Sequence, residues 1–155
     1  MGTITINNLI GGSITITTKP AVKAETHIKF TDGTEGDYLI KGAMDYQALI
    51  AAGLMPDGSG MENEPSWIKS PLEVEIGSAV TSIGDGAFYQ CTSLTSVTIP
   101  DSVTSIGSSA FFECQDLRSI TFSGKDKATV QNMANYSWGL GSGCIIHCTD
   151  GDITL

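Results

Sequence analysis

A 23-residue period constrains this chain more than any other feature. Val80–Ser102 reads VTSIGDGAFYQCTSLTSVTIPDS and Val103–Lys125 reads VTSIGSSAFFECQDLRSITFSGK. Eleven of the 23 positions are identical without a gap, and Tyr89/Phe112, Val97/Ile120 and Ile99/Phe122 exchange like for like. A fixed period in the twenties predicts stacked coils, each burying its apolar side against the next. Val74-Glu75-Ile76 falls one period before Val97-Thr98-Ile99, which extends the array backwards by half a unit and predicts three rungs of one sheet. The recurring apolar positions are the predicted core: Ile83, Ala87, Phe88, Cys91, Leu94, Val97 and Ile99, followed by Ile106, Ala110, Phe111, Cys114, Leu117, Ile120 and Phe122. Gly84 and Gly107 are expected to turn the chain after each strand. Thr81, Ser82, Thr95, Ser96 and Thr98 are expected to point outward as a flat face of small hydroxyls.

The flanks follow other rules. Thr3–Asn8 and Ser13–Lys19 alternate Ile with polar residues, which is the period of two of half-buried strands. Gly11-Gly12 lies between them as a hairpin loop and Pro20 ends the second strand. A second hairpin is predicted from Thr26–Thr31 and Asp37–Lys41 around Asp32-Gly33. A short helix over about Met44–Ala52 would stop at Gly53. Pro56–Pro65 is a polar, acidic loop, and its Asp57, Glu62 and Glu64 lack the ligand spacing of a calcium loop. Beyond the repeats, Asp126–Trp138 reads as a helix with Val130, Met133, Ala134 and Trp138 on one face. Gly139, Gly141 and Gly143 form a loop, and Cys144–Cys148 is a last strand.

The pattern VTSIG-x-x-AF-x-x-C-x-x-L-x-S-[VI]-T-[IF] resembles the BspA-type leucine-rich repeat over Val74–Lys125, and the tail from Trp138 to Asp152 is similar to segments that close such arrays. The resemblance implies a solenoid with a binding role and no catalytic residues. It implies cell-surface or secreted proteins of bacteria and some protozoa, also encoded by gut bacteria and phages, with host matrix proteins, other cells or glycans as partners. Two full repeats make a short array. Four rungs at ~4.8 Å would give a sheet under ~20 Å wide.

The formal charge of −9 argues against nucleic acid and against anionic membrane surfaces. No segment approaches the ~20 apolar residues of a membrane helix. Met1–Ile6 has no basic region ahead of an apolar run, so no signal peptide is expected. Cys91 and Cys114 sit at equivalent points of successive coils, either as small buried hydrophobes or as a bridge between rungs. The cysteines therefore leave the redox compartment open. Cys144, His147 and Cys148 with Asp150 and Asp152 suggest zinc, but they form one ligand cluster where such sites usually pair two. In an extended strand, His147 takes the face opposite to Cys144 and Cys148. No metal and no cofactor are expected. His27 has no visible nucleophile, no pair of carboxylates is held in a cleft, and GLGSG at 139–143 lacks the strand and helix of a phosphate loop. No enzyme is expected. Tyr89 and Phe112, beside the inward Phe88 and Phe111, either pack between coils or form an aromatic ridge. Tyr136 and Trp138 are read as part of the closing helix rather than a sugar platform.

The expected fold is α+β and β-rich, a short leucine-rich solenoid over 71–155 behind a β-hairpin and helix module over 1–70. The expected function is non-catalytic protein binding or adhesion, as a structural or host-recognition component of a phage particle. The alternative is a bacterial surface or secreted adhesin that binds host protein or glycan. An intracellular scaffold module is the reading from another class. The expected location is the virion, the cell surface or the extracellular space. The outward binding set is Thr81, Tyr89, Thr95, Thr98, Phe112, Arg118 and Thr121. Residues 1–41 are expected to dock to sister subunits or to other virion proteins.

Overall fold

The computed structural model describes residues 2–7, 13–18, 23–57, 67–133 and 138–155, with 2–7 and 13–18 described at the level of the backbone. The acidic-loop residues Glu62 and Glu64, the glycine pair Gly11-Gly12, Pro20, Ala134 and Tyr136 lie outside the described residues.

Strands β1 (Gly2–Asn7) and β2 (Ser13–Thr18) pair antiparallel, with Ile4 opposite Ile16 and Ile6 opposite Ile14. Neither packs substantially on any other described element. The second hairpin joins β3 (Thr26–Phe30) to β4 (Glu35–Tyr38). Its return strand begins two residues earlier than the sequence predicts and stops at Tyr38. Asp32 causes the early start: its carboxylate accepts from the Thr34 N–H and hydroxyl at 2.9 and 2.6 Å, so the turn closes at once.

The predicted helix is also shorter. Gly42–Met44 is strand β5, and helix α1 runs from Tyr46 to Ala51. Asp45 caps it, its carboxylate accepting from the Ala48 N–H at 2.9 Å, so the helix starts where the cap is. Gly53 takes φ +72°, the left-handed stop expected of it.

The coils follow. Strands β6 (Pro71–Glu75), β8 (Ser96–Ile99) and β10 (Ser119–Phe122) stack parallel in register, Val74 beside Val97 and Val97 beside Ile120. On the other side of the core, β5 pairs with β7 (Val80–Ile83) and β7 with β9 (Ser105–Ile106), with Met44, Ile83 and Ile106 aligned. The three predicted rungs and the solenoid are borne out. After β10 come helix α2 (Lys127–Met133), capped by Asp126, and strand β11 (Ile145–Cys148), parallel to β10. The chain does not end its sheet there. Asp150-Gly151 turns it into a further strand, β12 (Gly151–Thr154), antiparallel to β11.

The larger sheet therefore has seven strands, in the order β12-β11-β10-β8-β6-β3-β4. At ~4.8 Å per strand it spans ~29 Å, wider than four rungs alone would give. The extra width comes from the β3–β4 hairpin and from β12. The sheet crosses residue 70, where the sequence suggested a module boundary, because β3 is hydrogen-bonded to β6.

All fourteen inward positions predicted from the repeat are buried. Phe88 and Phe111 stack with ring centroids 5.4 Å apart, and Trp67 continues the stack from outside the repeat at 5.5 Å from Phe88. The turning glycines act differently from expectation. Gly84 and Gly107 are not in the left-handed region. A Cβ on Gly84 would meet the Asp45 Cβ at 2.8 Å, and one on Gly107 would come within 2.5 Å of the Asp85 backbone nitrogen. They are glycines so that successive coils can close on each other. The bends are made by left-handed residues at Gly86 and Ser109 (φ +60° and +53°) and at Gln90 and Glu113 (+56° and +59°), again 23 residues apart.

Candidate functional site

Because strands alternate faces, each residue beside the buried Ile28, Val74, Val97, Ile120 and Ile146 belongs to the outer face of the large sheet. The registers place these residues in two rows. One row runs Asp37, His27, Glu75, Thr98, Thr121, His147, Asp152. The other runs Glu35, Lys29, Glu73, Ser96, Ser119, Ile145, Thr154. The middle of the face is four small hydroxyl residues, Ser96, Thr98, Ser119 and Thr121, with charged side chains on both flanks.

The flanks are held by a Lys–Glu ion pair and by His–Asp hydrogen bonds. Lys29 Nζ lies 2.8 Å from Glu73 Oε2, a hydrogen bond that raises the lysine's pKa. His27 Nδ1 lies 2.8 Å from Asp37 Oδ1, with Lys23 3.3 Å from the same oxygen; the His27 contact first, then Lys23, lowers the Asp37 pKa. At the far end His147 Nδ1 lies 2.8 Å from Asp152 Oδ1. Pairs this exposed contribute little to stability, but they fix where the flanking side chains stand. A shallow hollow of about 130 Å³ lies where the charged flank meets the hydroxyls, lined by His27, Lys29, Glu73, Glu75, Ser96 and Thr98.

The binding set read from the sequence is distributed over three places. Thr98 and Thr121 are neighbours at the centre of the large face. Thr95 and Arg118 stand one residue before β8 and β10, at the lip of that face, where the Arg118 N–H donates to the Thr95 carbonyl at 3.1 Å. The Thr95 hydroxyl donates to the Leu72 carbonyl at 2.9 Å, and Arg118 Nη1 to the Gln115 carbonyl at 2.8 Å. Tyr89 and Phe112 stack on each other with centroids 5.8 Å apart on the turn side of the coil, and Phe112 is 43% exposed. Thr81 is exposed on the small sheet, across the core.

Glu73, Glu75, His27, Lys29, His147 and Asp152 were not in that set. Ser119 was recoverable from the period, as the equivalent of Ser96. The contribution of β3 was not, since its partner β6 lies some 45 residues away and no local pattern encodes that pairing.

Cys91, Cys114, Cys144 and Cys148 are free thiols, and Cys114 Sγ lies 3.0 Å from the Phe88 carbonyl oxygen. Burial pushes the Cys91 and Cys114 thiols up, Cys114 to about 12. Cys144 is buried while His147 sits on the outer face with Asp152, so these residues do not converge; among the described residues no group of three metal-ligating side chains forms. The first row does set Thr121 beside His147 and Asp152. No hydrogen bond joins that hydroxyl to the ring, and the face is open to water, whereas an activated nucleophile needs both the contact and a desolvated oxyanion site. The surface presents hydrogen-bonding groups at the fixed spacing of the paired strands.

A family model described as "BspA type Leucine rich repeat region" matches residues 68–140 in six copies. Neither the curated proteins nor the solved structures contain a match to the chain.

Proposed function

We propose, from the match of residues 68–140 to the BspA-type leucine-rich-repeat model, that this chain is a recognition module whose outer sheet face, centred on Thr98 and Thr121, binds a protein or glycan on a host or bacterial surface. Leucine-rich solenoids are typically non-catalytic binding scaffolds, and BspA-type proteins are often surface or extracellular. No helix among the described residues is long and apolar enough to cross a membrane. The observation that carries the proposal is the seven-residue row across the large sheet, polar throughout and locked at both ends by His–Asp contacts. Flat hydroxyl arrays lose little side-chain entropy when they bind.

Within that class, the reading we favour is a structural or host-recognition component of a phage particle. The support is the opening ribbon. Residues 1–18 contain no charged side chain in a chain of net charge −9. An isolated two-stranded ribbon is marginal in water, and its open edges can pair with another chain. Copies that repel through their acidic bodies can meet there, which fits residues 1–41 as the part that joins sister subunits or other virion proteins.

Two measurements test this. Thr98→Lys with Thr121→Lys places two long cations at the centre of the face. Binding to host cells or a glycan array should fall at least tenfold with the melting temperature unchanged; undiminished binding would remove the face from consideration. Mass spectrometry of purified phage particles should find the chain. Its absence there, together with its presence on the bacterial envelope, would favour the adhesin reading.

A further inference from the structure

The outer face of the large sheet carries more acid than its own cations neutralise. Its two rows hold five carboxylates, Glu35, Asp37, Glu73, Glu75 and Asp152, against one lysine, Lys29. The cations and histidines that reach the face are already engaged. Lys29 lies 2.8 Å from Glu73, His27 and Lys23 lie 2.8 and 3.3 Å from Asp37, and His147 lies 2.8 Å from Asp152. His27 Nε2 also stands 3.6 Å from Glu35. Arg118, at the lip, turns back onto the Gln115 and Leu117 carbonyls at 2.8 and 3.3 Å. Glu75 is the exception. Among the described residues, no cation and no hydrogen-bond donor lies against its carboxylate.

The register sets Glu75 between His27 and Thr98, exposed, at the hollow of about 130 Å³. That volume is below the ~300 Å³ at which small-molecule sites begin. It suits the head of one side chain presented by a larger partner. The acceptors around it are the Glu75 carboxylate and the hydroxyls of Ser96 and Thr98. A guanidinium answers that set, because it is cationic and offers five donors and no acceptor. An anionic glycan would meet like charge along the flank, and a neutral one would gain nothing from it. The flat hydroxyl strip beside the hollow leaves room for a protein surface to approach.

We propose, resting on the reading of the outer sheet face as the binding surface, that its partner is a basic protein surface and that the hollow takes one of that partner's arginine side chains, paired with Glu75.

The test titrates the full chain labelled with 15N. The probe is the peptide acetyl-Gly-Ser-Arg-Ser-Gly-amide, and the comparator carries citrulline, which keeps the shape of arginine without its charge. Saturable shifts should fall on the backbone amides of 73–76 and 96–98. The citrulline peptide should bind about fivefold more weakly, the upper range for one exposed ion pair. Glu75→Gln should weaken the arginine peptide by a similar factor. Glu113→Gln, which removes the same charge on the turn side of the coil beside Gln90, should not. The proposal is overturned if arginine and citrulline bind alike, if the shifts fall elsewhere, if the two variants behave alike, or if no saturable shift appears up to high millimolar peptide. Host-cell binding that is lost in Thr98→Lys with Thr121→Lys but kept in Glu75→Gln would also overturn it, while leaving the face as the binding surface.

Discussion

Phe88 and Phe111 lie face to face at 5.4 Å, Trp67 stacks on the other face of Phe88, and both phenylalanine rings are fully buried. Removing one leaves a cavity that its neighbours, themselves held in register by the backbone, cannot collapse into. Phe111→Ala should therefore cost ~3–5 kcal/mol in urea denaturation; a loss under ~1 kcal/mol would mean that the ring is not core. Cysteine behaviour is decided by the same packing. Alkylation requires the thiolate, and burial disfavours it at Cys91 and Cys114. Iodoacetamide at pH 8 should modify Cys148 first, which is only partly buried, and should reach Cys91 and Cys114 only after denaturant is added. Peptide mapping by mass spectrometry reads the order directly.

At the level of the coil, two positions separate the demands of conformation and space. Ser109 sits at φ +53° where the preceding coil has Gly86. Ser109→Gly should relieve a left-handed strain and stabilise on the order of 0.5–1 kcal/mol. Gly107→Ala should do the reverse, because its Cβ would come within 2.5 Å of the Asp85 backbone nitrogen, which the stacked coil cannot withdraw. Parallel thermal melts of the two variants show the opposite signs. These positions also mark what the sequence could convey. The period identified the inward set, since Leu94 and Leu117 or Cys91 and Cys114 recur for one reason, burial. It also pointed to Gly84 and Gly107, but identity of residue does not say whether a glycine serves its own torsion or its neighbour's bulk. Two of the four left-handed bends, at Gln90 and Glu113, carry residues that no turn rule singles out. The same limit hid half of the outer face. Ser96, Thr98 and Thr121 lie in the repeat, whereas His27 and Lys29 reach the face through a pairing with β6 some 45 residues away.

Three carboxylates in defined contacts give the stability of the molecule a predictable acid limb. Hydrogen bonds from Thr34, then from Lys69, hold the Asp32 carboxyl down at about 2 against an ordinary 3.8, and Asp37 and Asp126 are lowered as well. A carboxyl with a depressed folded pKa stabilises above its unfolded value and loses that contribution as protons bind. The denaturation midpoint should thus fall as pH drops from about 4 to about 2, and Asp32→Asn, which cannot ionise, should show a shallower fall. A larger design rule follows from the register in which β8 lies on β6 and β10 on β8. Every junction between coils is the same junction, so the array works as a ruler whose length is set by copy number. Duplicating Val80–Ser102 in frame before Val103 should lengthen the protein by one strand spacing, ~4.8 Å, and add one Ser-x-Thr step to the face. Small-angle scattering would report the longer particle, and both ends would keep the neighbours they have now.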